Sequence, residues 1–213
     1  MKNIFKEINM MNIGKMFRIC FRNRHDRKKL KNKDFTILCN TCIGGVICHD
    51  LGQKFLSPTI NVYIRPHDFV KFLENLEEYL QMEVVEIPSK LKYPVGKMGD
   101  IPMFFKHYKT FEDAKEKWNE RKKRINYDNL YVMMTDRWCC PESDLAKFEK
   151  LPYKHKICFT AKKWEKYPST RQVVKNNDDG VCVGVITFVA NIFGKRLYQY
   201  AENFDYVEWI NQK

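Results

Sequence analysis

Apolar and polar positions along the chain switch between a strand period and a helix period. Asp34 to Asn40 (D-F-T-I-L-C-N) is a short apolar run of strand formers closed by a polar residue, which predicts a strand. Gly44-Gly45 then punctuates the chain, and Val46 to Leu51 predicts a short helix ending at Gly52. Strand, glycine-containing turn and helix in that order are how an open α/β sheet begins, with the turn at the strand's C-terminal edge. Ile60 to Ile64 predicts a second strand. After Pro66-His67-Asp68, the residues Phe69, Phe72, Leu73, Leu76 and Leu80 recur at i, i+3, i+4, i+7 and i+11, one continuous face of an amphipathic helix.

Met82 to Ile87 is strand-like and stops before Pro88, and Tyr93-Pro94-Val95-Gly96 has turn chemistry. Ile101 to Tyr108 predicts another strand, with Pro102 placing its start at an edge or at residue 103. Thr110-Phe111-Glu112-Asp113 opens a capped helix with acids in its first turn, and Lys122, Lys123 and Arg124 crowd its other end, as the helix dipole prefers. Asn129 to Thr135 and His155 to Thr160 predict strands, Glu142 to Leu151 and Phe204 to Ile210 helices. Gly180 to Gly194 is fifteen residues without a charge; it is too short to span a bilayer, is expected to be buried, and has no periodicity that separates helix from strand. Strands alternating with helices give the fold class: α/β, a single layered domain with a mixed or mostly parallel sheet flanked by helices.

Charge changes this picture at one end only. The 213 residues carry a net charge of +12, which at first sight suggests a nucleic-acid binder. Residues 1–33 hold eleven Lys/Arg against Glu7 and Asp26, while the other 180 residues are nearly balanced, with 27 bases and 24 acids. The expected organisation is therefore a basic, partly apolar leader over 1–33 and a domain over 34–213. No zinc finger, RNP-type aromatic strand or Gly-x-x-Gly clamp accompanies the bases, so nucleic acid is not the expected partner. Ile4, Phe5, Ile8, Met11, Ile13, Met16, Phe17, Ile19 and Phe21 are interleaved with the first bases, a composition suited to peripheral contact with an anionic membrane. The stripe Ile4, Ile8, Met11 runs on into Lys15, Arg18 and Arg22, so no apolar helical face persists; a loosely ordered leader is the plainer expectation. Without a secretory signal or a spanning segment, the expected location is cytoplasmic, with peripheral contact at the inner face of the membrane as the alternative.

Eight cysteines without such a signal point to reduced thiols. Cys39-x-x-Cys42 has metal and redox spacing, yet zinc needs four ligands and neither Cys48-His49 nor Cys139-Cys140 supplies a normal second pair; no metal site is expected, and no cofactor is indicated. Cys42 lies between a strand end and a helix start, where backbone N–H groups can lower a thiol pKa. A nucleophilic Cys42 needs a base, for which His107 at a strand end ranks first and His49 second. Arg121 and Arg124, with Asn126 and Asn129 nearby, have the chemistry to grip a phosphate or carboxylate, although Trp118 and Ile125 on the neighbouring helix face make packing with solvated bases the plainer expectation. No Walker loop, G-x-G-x-x-G, G-x-S-x-G, HExxH or kinase set is present.

Asn40-Thr41-Cys42-Ile43-Gly44-Gly45, Ser57-Pro58-Thr59-Ile60-Asn61, Asp68-Phe69, Tyr93-Pro94-Val95-Gly96, Asp100-Ile101, His107-Tyr108, Trp118-Asn119-Glu120-Arg121, Arg124-Ile125-Asn126, Asp128-Asn129-Leu130 and the closing Phe204-Asp205-Tyr206 with Trp209-Ile210-Asn211 form an ordered set. In that order the chain resembles an uncharacterised bacterial domain family whose members are described as exopolysaccharide, or capsule, biosynthesis proteins. The resemblance covers about residues 34–211. It implies an α/β fold and a surface-polysaccharide context, and brings no established reaction or catalytic residues. The expectation is an enzyme, possible as a transferase, modifying or transferring to a surface glycan or its precursor. Cys42, His107 and His49 would carry the chemistry; Asn40, Gly44, Gly45, Ser57, Thr59, Asp100, Arg121, Arg124, Asn126 and Asn129 would bind a glycan or sugar-phosphate substrate. The alternative is a non-catalytic binding or scaffold protein of membrane-associated glycan assembly.

Overall fold

A computed structural model of the chain describes residues 11–138, 140–174, 177–178 and 180–212. Its centre is a four-stranded, wholly parallel sheet in the order β1 (Thr36–Cys39), β5 (Leu130–Thr135), β6 (His155–Thr160), β7 (Thr170–Gln172). Successive residues of these strands point to opposite faces. Leu38, Val132, Met134 and Cys158 join one core cluster, while Ile37, Cys39, Tyr131, Met133, Ile157 and Phe159 join another. The first face is covered by α4 (Pro66–Glu74), α5 (Leu76–Gln81), α6 (Phe111–Lys122) and α7 (Glu142–Lys150), the second by α3 (Ile43–Leu51) and α8 (Tyr206–Asn211). A parallel sheet needs both faces covered, and its strands accordingly read as continuous apolar runs.

Between β1 and β5 the chain inserts a small antiparallel sheet of β2 (Val84–Glu86), β3 (Val95–Met98) and β4 (Ile101–Phe104). Pro102 lies in β4, at the edge of that sheet, where a missing N–H is tolerated. A two-stranded pair, β8 (Asn177–Asp178) and β9 (Cys182–Val183), follows β7.

Several expectations change. Ile60 to Ile64 is not a strand: Asn61 sits at φ 64°, which breaks the extended run, and only Tyr63 pairs, exchanging two 2.9 Å backbone bonds with Phe104. The stripe from Phe69 to Leu80 spans two helices, because Asn75 (φ −131°, ψ 43°) leaves the helical region between α4 and α5. Val95 and Gly96 belong to β3 rather than to a turn. The uncharged run 180–194 is mostly irregular; Val183, Ile186 and Val189 are buried, but Phe188 and Phe193 are more than half exposed.

The basic segment is also not a loose leader where it is described. Residues 11–17 (α1) continue through a π-helical turn, Arg18–Arg22, into α2 (Asn23–Lys29). Arg18 is 2% exposed and donates from Nε to Asp50 Oδ2 (2.8 Å), from Nη1 to the Gly194 carbonyl and from Nη1 to Gln199 Oε1. Its Nη2 stands 2.8 Å from Asp50 Oδ2 but off the donating direction, so that contact is coulombic. Arg196 reaches the same carboxylate at 2.7 and 3.1 Å. Asp26 accepts from the Tyr206 hydroxyl, and Asn32 bonds Tyr131 and the Ile210 carbonyl. The segment is thus joined to the body; the part before residue 11 lies outside the described residues.

Burial pushes the Asp50 carboxyl up, but Arg196 and Arg18 outweigh it and hold its pKa below the usual value. Asp50→Asn leaves two guanidinium groups facing a neutral amide and should lower the unfolding free energy by about 3–5 kcal/mol at neutral pH, read from urea titrations. A depressed pKa contributes stability above the unfolded value and loses it as pH falls through the folded one, so the gap between wild type and variant should close below about pH 4.

Candidate functional site

The C-terminal ends of β1 and β5 do not fray, because side chains continue their ladder. Asn40, fully buried, donates from Nδ2 to the Thr135 carbonyl (3.2 Å) and accepts from Thr135 N–H at Oδ1 (3.0 Å). Asp136 accepts from Ala161 N–H and Val183 N–H, each at 2.8 Å. Burial raises the Asp136 carboxyl to about 6, against the pull of those two N–H groups. Thr59 Oγ1 takes the Cys39 N–H (2.9 Å) and meets Ser57 Oγ (3.0 Å). These clamps fix the loops that leave the sheet edge at Thr41 and Arg137.

Cys42 is the N-cap of α3. Gly44 and Gly45 let that helix lie close: a Cβ at Gly44 would stand 3.1 Å from Cys39 Cβ and Ile37 Cγ2, and one at Gly45 3.3 Å from Ile60 Cγ2. His107 arrives from the small sheet. Phe105 is buried against Tyr108 and Phe111, and the turn after it presents Lys106 and His107. The result is one contact: Cys42 Sγ lies 3.1 Å from His107 Nε2, across 65 residues of chain.

Three residues not anticipated from the sequence surround this pair. Lys106 Nζ sits among rings, 4.9 Å from the centre of Tyr63, 4.7 Å from Trp138 and 5.9 Å from Tyr93. Arg137 stacks on Trp138 at 6.0 Å. Trp138 holds φ at 67°, a left-handed conformation costing on the order of 1–2 kcal/mol for a bulky residue, while the residue is 45% exposed. Among the described residues, the buried Tyr63 hydroxyl and Arg137 Nε have no hydrogen-bond partner. Burial, with a smaller contribution from Cys39, raises the Cys42 thiol pKa; Lys106 and Arg137 pull the other way. The amides of Thr41, Ile43 and Gly44 approach the sulfur of Cys39 rather than that of Cys42. The resting Cys42 is a neutral thiol beside an imidazole and two cations.

The chain matches the family described as domain of unknown function (DUF1919) over residues 13–211. It belongs to the DUF1919 family. The match begins in α1, in agreement with the packed N-terminal segment and well before residue 34. An uncharacterised protein of Haemophilus influenzae (strain ATCC 51907 / DSM 11121 / KW20 / Rd) is 38% identical over 191 residues, covering 90% of this chain and 91% of the relative.

The other expected site residues of this DUF1919 chain lie elsewhere or serve its frame. His49 is exposed at the far end of α3, about 10 Å along the helix from Cys42. Asn40, Ser57, Thr59, Gly44 and Gly45 shape the loop but spend their polar atoms, or their small size, on packing. Arg121 is buried, donating to the Ile60 carbonyl (3.1 Å) and the Tyr108 hydroxyl (2.9 Å), so it braces the segment that carries His107. Arg124 pairs with Glu120. Asp100 bonds Lys71 and Tyr79 in the β3–β4 turn, at the opposite end of β4 from His107. Asn126 and Asn129 bond Asp34 at the N-terminal edge of the sheet, beside a cleft of about 970 Å³ lined also by Asn32 and Tyr153. The length of β5, about 20 Å, separates that cleft from the Cys42 edge.

Alkylation of Cys42, followed by peptide mass spectrometry, should have a pH midpoint above that of an ordinary cysteine, and Lys106→Ala should move it higher still. Asp136 gives a second pH test. Its folded pKa exceeds its unfolded one, so its ionisation weakens the fold as pH rises; the stability of wild type relative to Asp136→Asn should fall between about pH 4 and pH 6, by up to roughly 3 kcal/mol in denaturant titrations.

Proposed function

We propose that the chain is a group-transfer enzyme in which Cys42 is the nucleophile and His107 its base. The observation that carries this reading is the 3.1 Å contact between Cys42 Sγ and His107 Nε2 at the C-terminal edge of a parallel sheet, where open α/β folds place their ligand sites. A neutral thiol needs its base at the moment of attack: His107 takes the Sγ proton as sulfur bonds to the transferred group, then returns it to the leaving group. An acceptor hydroxyl reverses the steps, giving its proton to His107 while the thiolate departs and is reprotonated.

The surroundings favour a glycan or sugar-phosphate substrate. Trp138 is a half-exposed aromatic residue, Lys106 and Arg137 offer positive charge for a phosphate or carboxylate, and the Tyr63 hydroxyl is a donor without a partner among the described residues. With the resemblance to exopolysaccharide and capsule proteins, this supports a bacterial cytoplasmic enzyme acting on a surface glycan or its precursor, at the inner face of the membrane. The raised Cys42 pKa favours a second reading, a non-catalytic glycan-binding or scaffold protein using the same cationic and aromatic residues.

Substitution separates the two. Under the enzyme reading, strains carrying Cys42→Ala or His107→Ala lose surface glycan, with turnover down on the order of a hundredfold or more. Normal glycan from both strains sinks the enzyme. If Trp138→Ala and Lys106→Glu then lose glycan while Cys42→Ala does not, the binding protein stands.

A further inference from the structure

The helical segment 11–29 is amphipathic in the reverse of the usual sense. Its buried positions are Gly14, Arg18, Asn23 and Asp26, none of them an apolar side chain. The π-helical turn between Arg18 and Asn23 makes this inward stripe continuous, since a step of five residues there replaces a step of four. Gly14 is essential to the approach. A Cβ at that position would stand 2.2 Å from the Asn191 carbonyl oxygen, so the helix lies directly on the backbone of the 189–194 loop. Arg18 then seats against Gly194 and reaches Asp50.

The apolar residues consequently face outward. Ile13, Met16, Ile19 and Phe21 are 54–68% exposed, and Phe188 and Phe193 of the adjoining loop are 54% and 59% exposed. Phe17 links the two segments, its ring 5.1 Å from Phe21 and 5.9 Å from Phe193. A polar interior and an apolar exterior on one helix mean that the outer face was not shaped to meet water.

The charge around the patch selects its occupant. Residues 11–33 contain nine Lys/Arg and a single acid, Asp26, which is buried under Tyr206. Lys15, Arg24 and Lys28 are exposed, and no exposed carboxylate belongs to this segment. Two copies of the chain meeting through this face would bring two basic rims together. A partner that is apolar below its surface and anionic at it satisfies both features.

We propose that α1, the π-helical turn and the 188–193 loop form a docking surface for an anionic lipid bilayer. The apolar side chains enter the interfacial region and the exposed bases meet lipid phosphates; among the described residues, no helix is long and apolar enough to cross the membrane. Asp50, which holds this face in place, is at the end of α3 opposite Cys42. The docking surface therefore does not rest on the Cys42–His107 chemistry.

The test is vesicle flotation of the full chain, with no activity readout. Wild type should float with phosphatidylcholine vesicles containing phosphatidylglycerol, bind vesicles of phosphatidylcholine alone far more weakly, and dissociate as salt is raised. The triple variant Met16→Glu, Phe21→Glu, Phe193→Glu should lose binding by about tenfold or more, and Lys15→Glu, Arg24→Glu, Lys28→Glu should lose about tenfold or more on the anionic vesicles. All six side chains are exposed, so thermal unfolding by circular dichroism should remain cooperative in both variants. The proposal is overturned if wild type floats with neither vesicle, if the apolar triple variant floats as well as wild type, or if wild type sediments as a dimer that this variant converts to monomer.

Discussion

The carboxylate of Asp50 ties together three parts of the chain that no regular element connects. Arg18 comes from the N-terminal helical segment, Asp50 from the last turn of α3, and Arg196 from the loop before the C-terminal helix. A buried ion cluster of this kind adds little net stability over a well-packed apolar substitute, because desolvation offsets the attraction. Its value is in position. Two guanidinium groups can share one buried carboxylate only when their segments sit in a single relative arrangement, and the bonds from Arg18 to Gly194 and Gln199 narrow that arrangement further. The cluster fixes the N-terminal segment at the margin of the second layer, beside the apolar core that joins α3, Ile186, Tyr198 and α8.

The helix that carries Asp50 at one end carries Cys42 at the other. α3 is pinned along its length by its glycines, which allow it to touch β1 and Ile60, and at its C-terminus by Gly52, whose φ of 66° lets the last carbonyls be capped. The Cys42 sulfur is thereby held against a turn contributed by a different sheet. His107 is in turn held by Phe105 below it, while the neighbouring Tyr108 is braced by Arg121. The pair is preorganised by packed elements on both sides, which is what a reactive contact between two otherwise ordinary side chains requires. The strained Trp138 and the Tyr63 and Arg137 atoms that lack hydrogen-bond partners among the described residues collect at the same edge.

The parallel sheet was legible because burial on both faces leaves a simple signature, seen in Thr36 to Cys39, Leu130 to Thr135 and His155 to Thr160. The Cys42–His107 pairing was legible in part: strand ends marked both residues and put His107 ahead of His49, but only the fold shows the two atoms 3.1 Å apart. Asn40, Thr59 and Arg121, expected to bind substrate, bond the protein's own backbone for one physical reason. A buried polar group must be hydrogen-bonded, so the same side chain that would hold a substrate can instead replace a missing backbone rung. Residue type does not distinguish these uses. Lys106, Arg137 and Trp138 were missed because no spacing relates them; the chain crosses from β4 to the end of β5 before they meet.

The N-terminal segment hid itself in a more instructive way. Periodicity arguments assume that the apolar stripe of a helix is its inner stripe. Here a stripe that runs from Met11 into Lys15, Arg18 and Arg22 looks broken, because the true inner positions are glycine, arginine, asparagine and aspartate. They step by four, then by five across a π turn, then by three. Such a stripe has no hydrophobic signal, and a five-residue step destroys whatever period remains. The inversion is affordable only because Asp50, Gln199, Tyr206 and the Gly194 carbonyl supply partners to Arg18, Asn23 and Asp26. Once those partners are in place, burial no longer requires apolar residues on the inner face. The apolar residues on the outer face then need a cause of their own, and the exposed Lys15, Arg24 and Lys28 beside them are the reason for proposing an anionic surface there rather than a second core.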